Sequence, residues 1–358
     1  MTASLTPNVP GSRGLVNLAA ELEDRLGGAP VSSGFDESTS ALLPSASGYV
    51  LVVFDGLGSR QLDIVEAREL AACKVDDLIA PFPTTTTVSL ASIATGLSPA
   101  RHGLVGYQLY LPHLDVVANT IKWTTLWGDP VELDYRSFLP ETVWERLSGV
   151  DIDTVTVQPA NFAASPLTQM MYRGARFESV TTVDDWVEAC LTLAKPGRLI
   201  VAYLPHVDVS AHMTGQGSVE YRDAVALIAT AWERLRQLLR SDVGLLGTAD
   251  HGHVDIPPER QIQMAREDQA GRVLFGDSRV MFINGPPPEH DLPATYHPFA
   301  DVSAWWGAGP PLHPERFPDG VLVADDGHAI LHRFSDKRMI GHHGGVTDAE
   351  RLVPLLVR

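Results

Sequence analysis

The sequence predicts an α/β protein with a mostly parallel central sheet that helices cover on both sides. The first observation is a continuous apolar and β-branched run at Tyr49–Phe54, which is typical of a strand buried on both faces of a parallel sheet. The second is that similar runs alternate with helical stretches, as in chains built from strand–helix–strand units. The third is length, because 358 residues accommodate one large α/β domain or a core with an inserted lobe.

The predicted elements follow in chain order. Residues 1–46 form a lead-in with one amphipathic helix near residues 15–26, followed by a link rich in Ser, Pro and Gly. The first strand is followed by a turn and then by a predicted helical stretch around residues 60–72. Helical composition returns at residues 88–95 and ends where Gly96 and Pro99 stop a helix. Further core strands are predicted at residues 154–158, 199–204 and 243–248, with a long helix at residues 219–240 between the last two.

Two stretches interrupt the alternation of strands and helices. Residues 105–140 contain clustered aromatic residues and many turn formers. Residues 255–340 are rich in Pro and Gly, with hairpin-like pieces at 279–283, 320–324 and 329–334. We therefore expect a core of residues 47–254 and 341–358, an inserted cap or lobe at residues 255–340, and a smaller excursion at residues 105–140.

Composition narrows the classes of function. The formal net charge of −17 argues against a protein that holds a nucleic-acid polymer on a basic surface. It allows a small phosphorylated substrate, because bound metal ions reverse the local field. The two cysteines, Cys73 and Cys190, form neither a disulfide framework nor a thiolate metal site. No apolar run approaches ~20 residues and the N-terminus lacks a signal-peptide core, so we expect no membrane attachment and a cytoplasmic location. No pattern in the chain specifies an oligomeric state.

Acidic and imidazole side chains follow the ends of several predicted strands. The carboxyl ends of strands in such a sheet meet at one edge, where α/β folds place their ligands. Carboxylate oxygen and imidazole nitrogen are the donors of a two-metal hydrolytic centre. Each element alone has an ordinary explanation, since an Asp before Gly often bonds its own turn and loop histidines are often solvated. The conjunction of four elements favours a metal site, and they are Asp55, Asp208 with His212, Asp250-His251, and His342-His343.

A run of threonines, Thr84 to Thr87, precedes the predicted helix at 88–95. Its ordinary role is to cap the helix. One hydroxyl could instead act as a nucleophile, because coordination to a divalent cation favours its alkoxide form. The start of the helix would add partial positive charge and free N–H groups for phosphate oxygens.

These segments together resemble the type I phosphodiesterase/nucleotide pyrophosphatase family of the alkaline phosphatase superfamily. Thr86 and the segment Ser92-Ile93-Ala94-Thr95-Gly96-Leu97-Ser98-Pro99-Ala100-Arg101-His102-Gly103-Leu104 are similar to the family's nucleophile segment. The other motifs occur in the family's order, and they are Val53-Phe54-Asp55-Gly56, Tyr203-Leu204-Pro205-His206-Val207-Asp208 with His212, Ala249-Asp250-His251-Gly252, and Gly341-His342-His343-Gly344-Gly345.

The resemblance implies a three-layer αβα sandwich with a small inserted cap and two divalent ions, zinc being expected and manganese the alternative. It implies that Thr86 attacks phosphorus and forms a phosphothreonine, with Thr85 as the alternative nucleophile if the register slips by one. His343 is preferred to His342, because the family's ligand directly precedes Gly. The implied ligands of one ion are Asp208, His212 and His343, and those of the other are Asp55, Thr86, Asp250 and His251.

The chain departs from the family at the position that contacts the phosphate. The nucleotide pyrophosphatases carry Thr-Phe-Pro-Asn there, and Ser89 stands at the Asn position with a shorter donor. Asn119 could supply the missing amide, and the rings of Tyr107 and Trp123 could stack on a base, an interaction worth ~1–3 kcal/mol per base. Alternatively, these aromatic residues form the small core of the 105–140 excursion. His206 and His253, each two residues from an expected ligand, could orient it.

The expected function is a metal-dependent phosphoric ester hydrolase that acts on a small phosphorylated substrate, with a nucleotide as one candidate. The alternatives within enzymes are a hydrolase of carbon–phosphorus bonds similar to phosphonoacetate hydrolase and a phosphomonoesterase. The alternative outside enzymes is a metal-stabilised binding module without catalysis.

Overall fold

A seven-stranded sheet forms the centre of the molecule in the computed structural model, which describes residues 11–333 and 335–358. The strand order is β2-β7-β6-β1-β5-β3-β4, and every neighbouring pair is parallel except those that β7 makes. The predicted α/β class with a mostly parallel sheet is therefore confirmed. The strands are β1 (Tyr49–Phe54), β2 (Lys74–Ile79), β3 (Asp153–Pro159), β4 (Arg176–Val180), β5 (Arg198–Leu204), β6 (Gly244–Thr248) and β7 (Leu352–Val357).

β1 lies in the middle of this sheet, and all six of its residues are buried. It pairs in parallel with β5 on one side, where Phe54 is level with Leu204, and with β6 on the other, where Val53 is level with Thr248. Their carboxyl ends therefore emerge at the same edge, and the residues that follow each strand meet there.

Five longer helices pack around the sheet in two groups. In the first, α1 packs on α2; in the second, α5 packs on α3 and α4. Trp232 of α5 lies edge-on to Phe54 of β1, at 6.1 Å between ring centroids. Among the described residues, no helix is long and apolar enough to cross a membrane. The longer helices are α1 (Leu15–Arg25), α2 (Thr86–Thr95), α3 (Val183–Leu193), α4 (His206–Thr214) and α5 (Val219–Leu238). Short helices lie at Glu37–Ser40, Arg68–Ala71, Pro99–His102, Val143–Ser148, Pro166–Met171, Arg266–Gln269, Phe299–Val302 and Asp348–Arg351.

The helical stretch predicted around residues 60–72 is confirmed, but it is not one continuous helix. This segment contains two 3₁₀ turns, Ser59–Asp63 and Val65–Ala67, and then the short helix Arg68–Ala71. Ile64 between the turns is extended, with φ −98° and ψ 156°. The β-branched pair Ile64-Val65 disfavours a continuous helix, and this is where the helical path breaks.

The inserted residues form an antiparallel four-stranded sheet within 255–340. Its strands alternate sides: Phe282 belongs to the main core, whereas Met281 and Ile283 belong to a separate small cluster. One face of the inserted sheet therefore continues the core of the molecule. Ala329–Leu331 pairs in parallel with Gln261–Gln263. Two predicted segments lie partly outside the described residues: residue 334 of the piece 329–334, and residues 1–10 of the lead-in. The four strands are Val273–Gly276, Val280–Asn284, Ala294–Pro298 and Gly320–Ala324.

Residues 105–140 contain a three-stranded antiparallel sheet, and Val254–Asp255 pairs with Gly341–His342. Cys73 is half-buried, Cys190 is buried, and both are free thiols. The three strands of the excursion are Gln108–Leu111, Val116–Asn119 and Thr124–Thr125.

Candidate active site

Three ligand-type side chains meet where β1 and β6 end, and we call this group the Asp250 cluster (Asp55, Asp250 and His251). One donor atom of each lies within 4.8 Å of the others. The Nε2 atom of His251 is 3.6 Å from an oxygen of Asp55 and 3.6 Å from an oxygen of Asp250. Adjacent residues in a strand face opposite ways, so Asp250 and His251 converge only because β6 has ended at Thr248.

A second group, the Asp208 cluster (Asp208, His212 and His343), lies beside the first. Asp208 and His212 are one turn apart on α4 and therefore share a face, with 3.2 Å between Asp208 Oδ1 and His212 Nε2. His343 Nε2 is 4.0 Å from the same oxygen. The rings of His343 and His251 stack at 3.8 Å between centroids, so the two clusters are in direct contact.

The three histidines are oriented in the same way by the main chain. Nδ1 of His212 lies 2.8 Å from the Gly341 carbonyl, Nδ1 of His251 3.1 Å from that of Gly252, and Nδ1 of His343 2.9 Å from that of Thr84. A carbonyl only accepts, so each Nδ1 carries the proton and each Nε2 presents its lone pair to a cluster. This is the arrangement of metal-binding histidines.

The carboxylates fit bound cations for a separate reason. Asp55 Oδ1 and Asp250 Oδ2 are buried and have no hydrogen-bond partner. Burial, together with the nearby charges of Asp208 and Asp250, raises the pKa of Asp55 well above its usual range. Buried carboxylate oxygens without partners are costly unless a cation compensates them. The donor set of both clusters therefore fits divalent metal ions.

The threonine run places one hydroxyl at these clusters. Thr86 is the first residue of α2, and its Oγ1 lies 3.1 Å from His251 Nε2. Thr85 is the N-cap residue by backbone conformation, but its side chain makes no capping bond, and the residue lines a cavity together with Asp277. Thr84 Oγ1 accepts from the Gly344 N–H and donates to the Gly345 carbonyl, which fixes the threonine run against the loop of His343.

A cavity of about 340 Å³ opens over Thr86 and the Asp208 cluster. Most of its remaining wall comes from the inserted lobe and the 105–140 excursion. It is lined by Thr85, Thr86, Tyr107, Gln108, Ile121, Asp208, His212, Gly276, Asp277, Ser278, Leu331, His332, Ser335, Asp336, Met339, His342 and His343.

Of the four candidate substrate contacts, the structure places Tyr107 on the wall of this cavity. The Asn119 side chain donates to the Tyr107 hydroxyl at 2.8 Å. Its side-chain oxygen accepts from two backbone N–H groups of the turn that follows. Trp123 is buried against Tyr135 and Phe138, in the core of the excursion.

Ser89 is fully buried on α2, outside the cavity lining, with a hydroxyl that has no partner. The positions of Trp123 and Ser89 correct the expectation that these side chains reach substrate, because burial separates both from the cavity.

Three further residues lie near the two clusters but were not among the expected metal ligands. Asp277, in the loop between two inserted strands, lines the cavity, and the expectations from sequence did not include it because no local pattern marks it. His253 Nε2 lies 2.8 Å from Asp208 Oδ1, and burial lowers the pKa of His253 to about 4. His206 is the first residue of α4, and its Nδ1 is buried without a partner.

Comparisons with known proteins agree with this geometry. The model of the type I phosphodiesterase/nucleotide pyrophosphatase family matches residues 49–346. Venom phosphodiesterase 2 of Crotalus adamanteus is 26% identical over 236 residues, which are 62% of this chain and 27% of that protein. Venom phosphodiesterase CdcPDE of Crotalus durissus collilineatus is also 26% identical over 236 residues, 26% of its length. The matched region thus spans about a quarter of these relatives.

Solved structures share the fold at low sequence identity. Murine ectonucleotide pyrophosphatase/phosphodiesterase 5, as an inactive variant in complex with AMP, has a TM-score of 0.64 at 18% identity over 86% of this chain and 87% of that one. Phosphonoacetate hydrolase from Sinorhizobium meliloti 1021, in complex with phosphonoacetate, has a TM-score of 0.63 at 16% identity over 88% and 91%. The family match covers most of the chain and the motifs occur in the family's order, so the protein belongs to the type I phosphodiesterase/nucleotide pyrophosphatase family.

Proposed function

We propose that the protein is a metal-dependent phosphodiester hydrolase that uses Thr86 as its nucleophile and acts on a small phosphorylated substrate such as a nucleotide. One observation carries the proposal: the Thr86 hydroxyl lies 3.1 Å from His251 Nε2, at the junction of two groups of ligand-type side chains. A lone hydroxyl at a helix start would be a cap, but Thr86 lines a cavity beside the six ligand-type side chains of the two clusters.

The Asp208 cluster would hold one divalent ion, and the Asp250 cluster with Thr86 would hold the other. Mixed imidazole and carboxylate donors suit zinc, and manganese is the alternative for carboxylate-rich sites. When bound, such ions lower the pKa of a coordinated hydroxyl and neutralise charge on the phosphoryl group.

The side chains of the protein then perform the transfer in two stages. The Thr86 hydroxyl gives its proton to solvent, and Oγ1 attacks phosphorus in line with the leaving oxygen. The bond to that oxygen breaks, the leaving group takes a proton from solvent, and a phosphothreonine forms. Water then cleaves the phosphothreonine and restores the hydroxyl. The first N–H groups of α2 have no partner inside the helix and can donate to phosphoryl oxygens.

Substrate class and metal content test the proposal together. The purified chain is loaded with zinc or manganese, its ions per chain are counted by mass spectrometry, and bis-p-nitrophenyl phosphate, p-nitrophenyl phosphate and phosphonoacetate are compared by kcat/KM. We expect two ions per chain and the highest kcat/KM for the diester. Preference for p-nitrophenyl phosphate or for phosphonoacetate would replace the diesterase by the corresponding alternative. Two bound ions with no turnover would identify a binding module, and fewer than two would contradict the two-metal scheme.

A further inference from the structure

The cavity over Thr86 has an unusual balance of charge for a site that takes phosphate esters. Among the described residues that line it there is no Lys or Arg. It carries two carboxylates beyond the metal clusters, Asp277 and Asp336, and the latter pairs with Arg338 at 2.6 Å. Cations of the inserted lobe, including Arg266 and Arg272, line a neighbouring cavity that meets this one at His332. A substrate in the cavity over Thr86 therefore meets Asp277 with no Lys or Arg on the described wall to offset it.

Asp277 is fixed next to the reacting groups. It lines the same cavity wall as Thr85, the residue before the nucleophile, and as Tyr107 and His212. Its Oδ2 atom is buried without a hydrogen-bond partner. Gly344, directly after the ligand His343, makes this approach possible, because a Cβ there would lie 2.6 Å from Asp277 Cβ.

The position of Asp277 places it towards the leaving group. Thr86 attacks from the side of the Asp250 cluster, and in-line displacement sends the leaving oxygen towards the other side of the phosphorus, where the Asp208 cluster lies. Asp277 is on that side, since it packs against Gly344, the residue directly after His343 of the Asp208 cluster. The three ligand carboxylates and Asp277 would together balance two divalent cations, which leaves no surplus positive charge for further phosphates on a leaving group.

We infer that Asp277 is a specificity-determining residue that selects phosphodiesters whose leaving group is uncharged or cationic and rejects phosphoric anhydrides whose leaving group is a polyanion, such as nucleoside triphosphates. A like charge on a buried wall disfavours the wrong partner, and an unpartnered carboxylate oxygen offers an acceptor to a hydroxyl or ammonium group. This inference rests on the proposed phosphodiesterase function.

Three substrates with one transferred group test it: the p-nitrophenyl ester of thymidine 5′-monophosphate, its 2-aminoethyl ester, and thymidine 5′-triphosphate, which release an aromatic, a cationic and a polyanionic group. The kcat/KM of each is measured for the wild type and Asp277→Asn at pH 9, where the carboxyl with its pKa raised to about 7 is ionised, and at a fixed free metal concentration. Intrinsic leaving-group reactivity cancels when ratios of kcat/KM are compared between the two proteins.

We expect Asp277→Asn to raise the triphosphate-to-p-nitrophenyl ratio at least about tenfold and to lower the aminoethyl-to-p-nitrophenyl ratio. Asp277→Ser serves as a second neutral variant if the first misfolds. Asp301→Asn removes the same charge from an exposed position outside the cavity and should leave both ratios unchanged.

The possible results separate the two claims. Ratios that Asp277→Asn and Asp277→Ser leave unchanged, in a wild type that hydrolyses the p-nitrophenyl ester, overturn the inference and leave the proposed function standing. A metal-loaded wild type that cleaves none of the three substrates overturns both.

Discussion

The guanidinium of Arg279 and the carboxylate of Glu350 form an ion pair that is buried between the inserted lobe and the loop of His343. Arg279 Nε donates to Glu350 Oε1 at 3.1 Å, and the side chains are 1% and 0% exposed. Glu350 also accepts from the Gly345 N–H at 2.9 Å and from the Thr347 hydroxyl at 2.6 Å. This one carboxylate thus connects the inserted sheet to the loop that delivers a candidate metal ligand.

Breaking that pair should be costly for stability. Glu350→Gln leaves the Arg279 charge buried without its partner, and such a change typically costs ~3–5 kcal/mol. We expect a decrease of that size in the free energy of unfolding, measured by denaturant titration. The control is Asp348→Asn, which breaks the more exposed pair with Arg351 in the same loop and should cost less than ~1 kcal/mol. Equal losses in the two variants would show that the buried pair has no special role.

The choice between adjacent threonines is also open to measurement. Thr86→Ala should lower kcat/KM for the preferred ester by at least ~10³-fold, because no other hydroxyl lies at His251 Nε2 among the described residues. Thr85→Ala should lower it less than ~tenfold, since it is the Thr86 hydroxyl that lies at His251 Nε2. Metal content is measured for both variants, so that a loss of ions is not mistaken for a loss of the nucleophile. The reverse order of effects would make Thr85 the nucleophile.

Removing one carboxylate should stabilise the metal-free protein while it impairs metal binding. Asp55→Asn replaces a carboxyl whose ionised form is disfavoured by burial and by the charges of Asp208 and Asp250, and the new amide oxygen can still accept from the Tyr203 hydroxyl. We expect the metal-free variant to gain ~1–3 kcal/mol in unfolding free energy, and the rise in Tm on adding zinc to shrink. Asp24→Asn, at an exposed position, should change neither quantity. A less stable metal-free Asp55→Asn would contradict the compensation argument.

His253 offers a test of how Asp208 is held. It lies 2.8 Å from Asp208 Oδ1, so we expect it to position that ligand. His253→Leu removes the donor and should weaken zinc binding ~10–100-fold in calorimetric titration, as loss of such partners typically does. His253→Gln can still donate and should recover part of that affinity. If Leu and Gln weaken binding equally, the role of His253 is packing.

The sequence was most informative where burial on both sides of the sheet leaves a continuous apolar signal. β1, β5 and β6 were predicted for this reason, and the residues at their carboxyl ends are those that meet in the clusters. Three strands of the sheet were not predicted. β2 and β4 are edge strands that contain charged residues, so their sequences lack a continuous apolar run. β7 contains Pro354, a residue that argues against a strand in sequence, and its pairing with β2 is irregular.

The residues of the cavity wall were harder to predict from sequence. Asp277 belongs to a loop of the inserted sheet and reaches the site through tertiary packing against Gly344, a contact without local sequence signature. Trp123 shows the opposite case. It follows the threonine run in sequence and was expected to reach substrate, but it packs on Phe138 in the small core of the excursion. The ligand-type residues that follow the strands could be predicted from local sequence patterns. The residues of the cavity wall could not, because the tertiary fold brings them together.

The carbonyls that orient His212 and His251 belong to Gly341 and Gly252, and neither glycine has room for a side chain: a Cβ on Gly341 would lie 2.5 Å from the Ala211 carbonyl oxygen, and one on Gly252 would collide with that of Ala349. Two positions without any donor side chain therefore govern where the imidazoles point. A substitution at either glycine would be interpreted from sequence as a folding defect. Its first consequence would instead be that the Nε2 lone pair of His212 or His251 no longer points at its cluster.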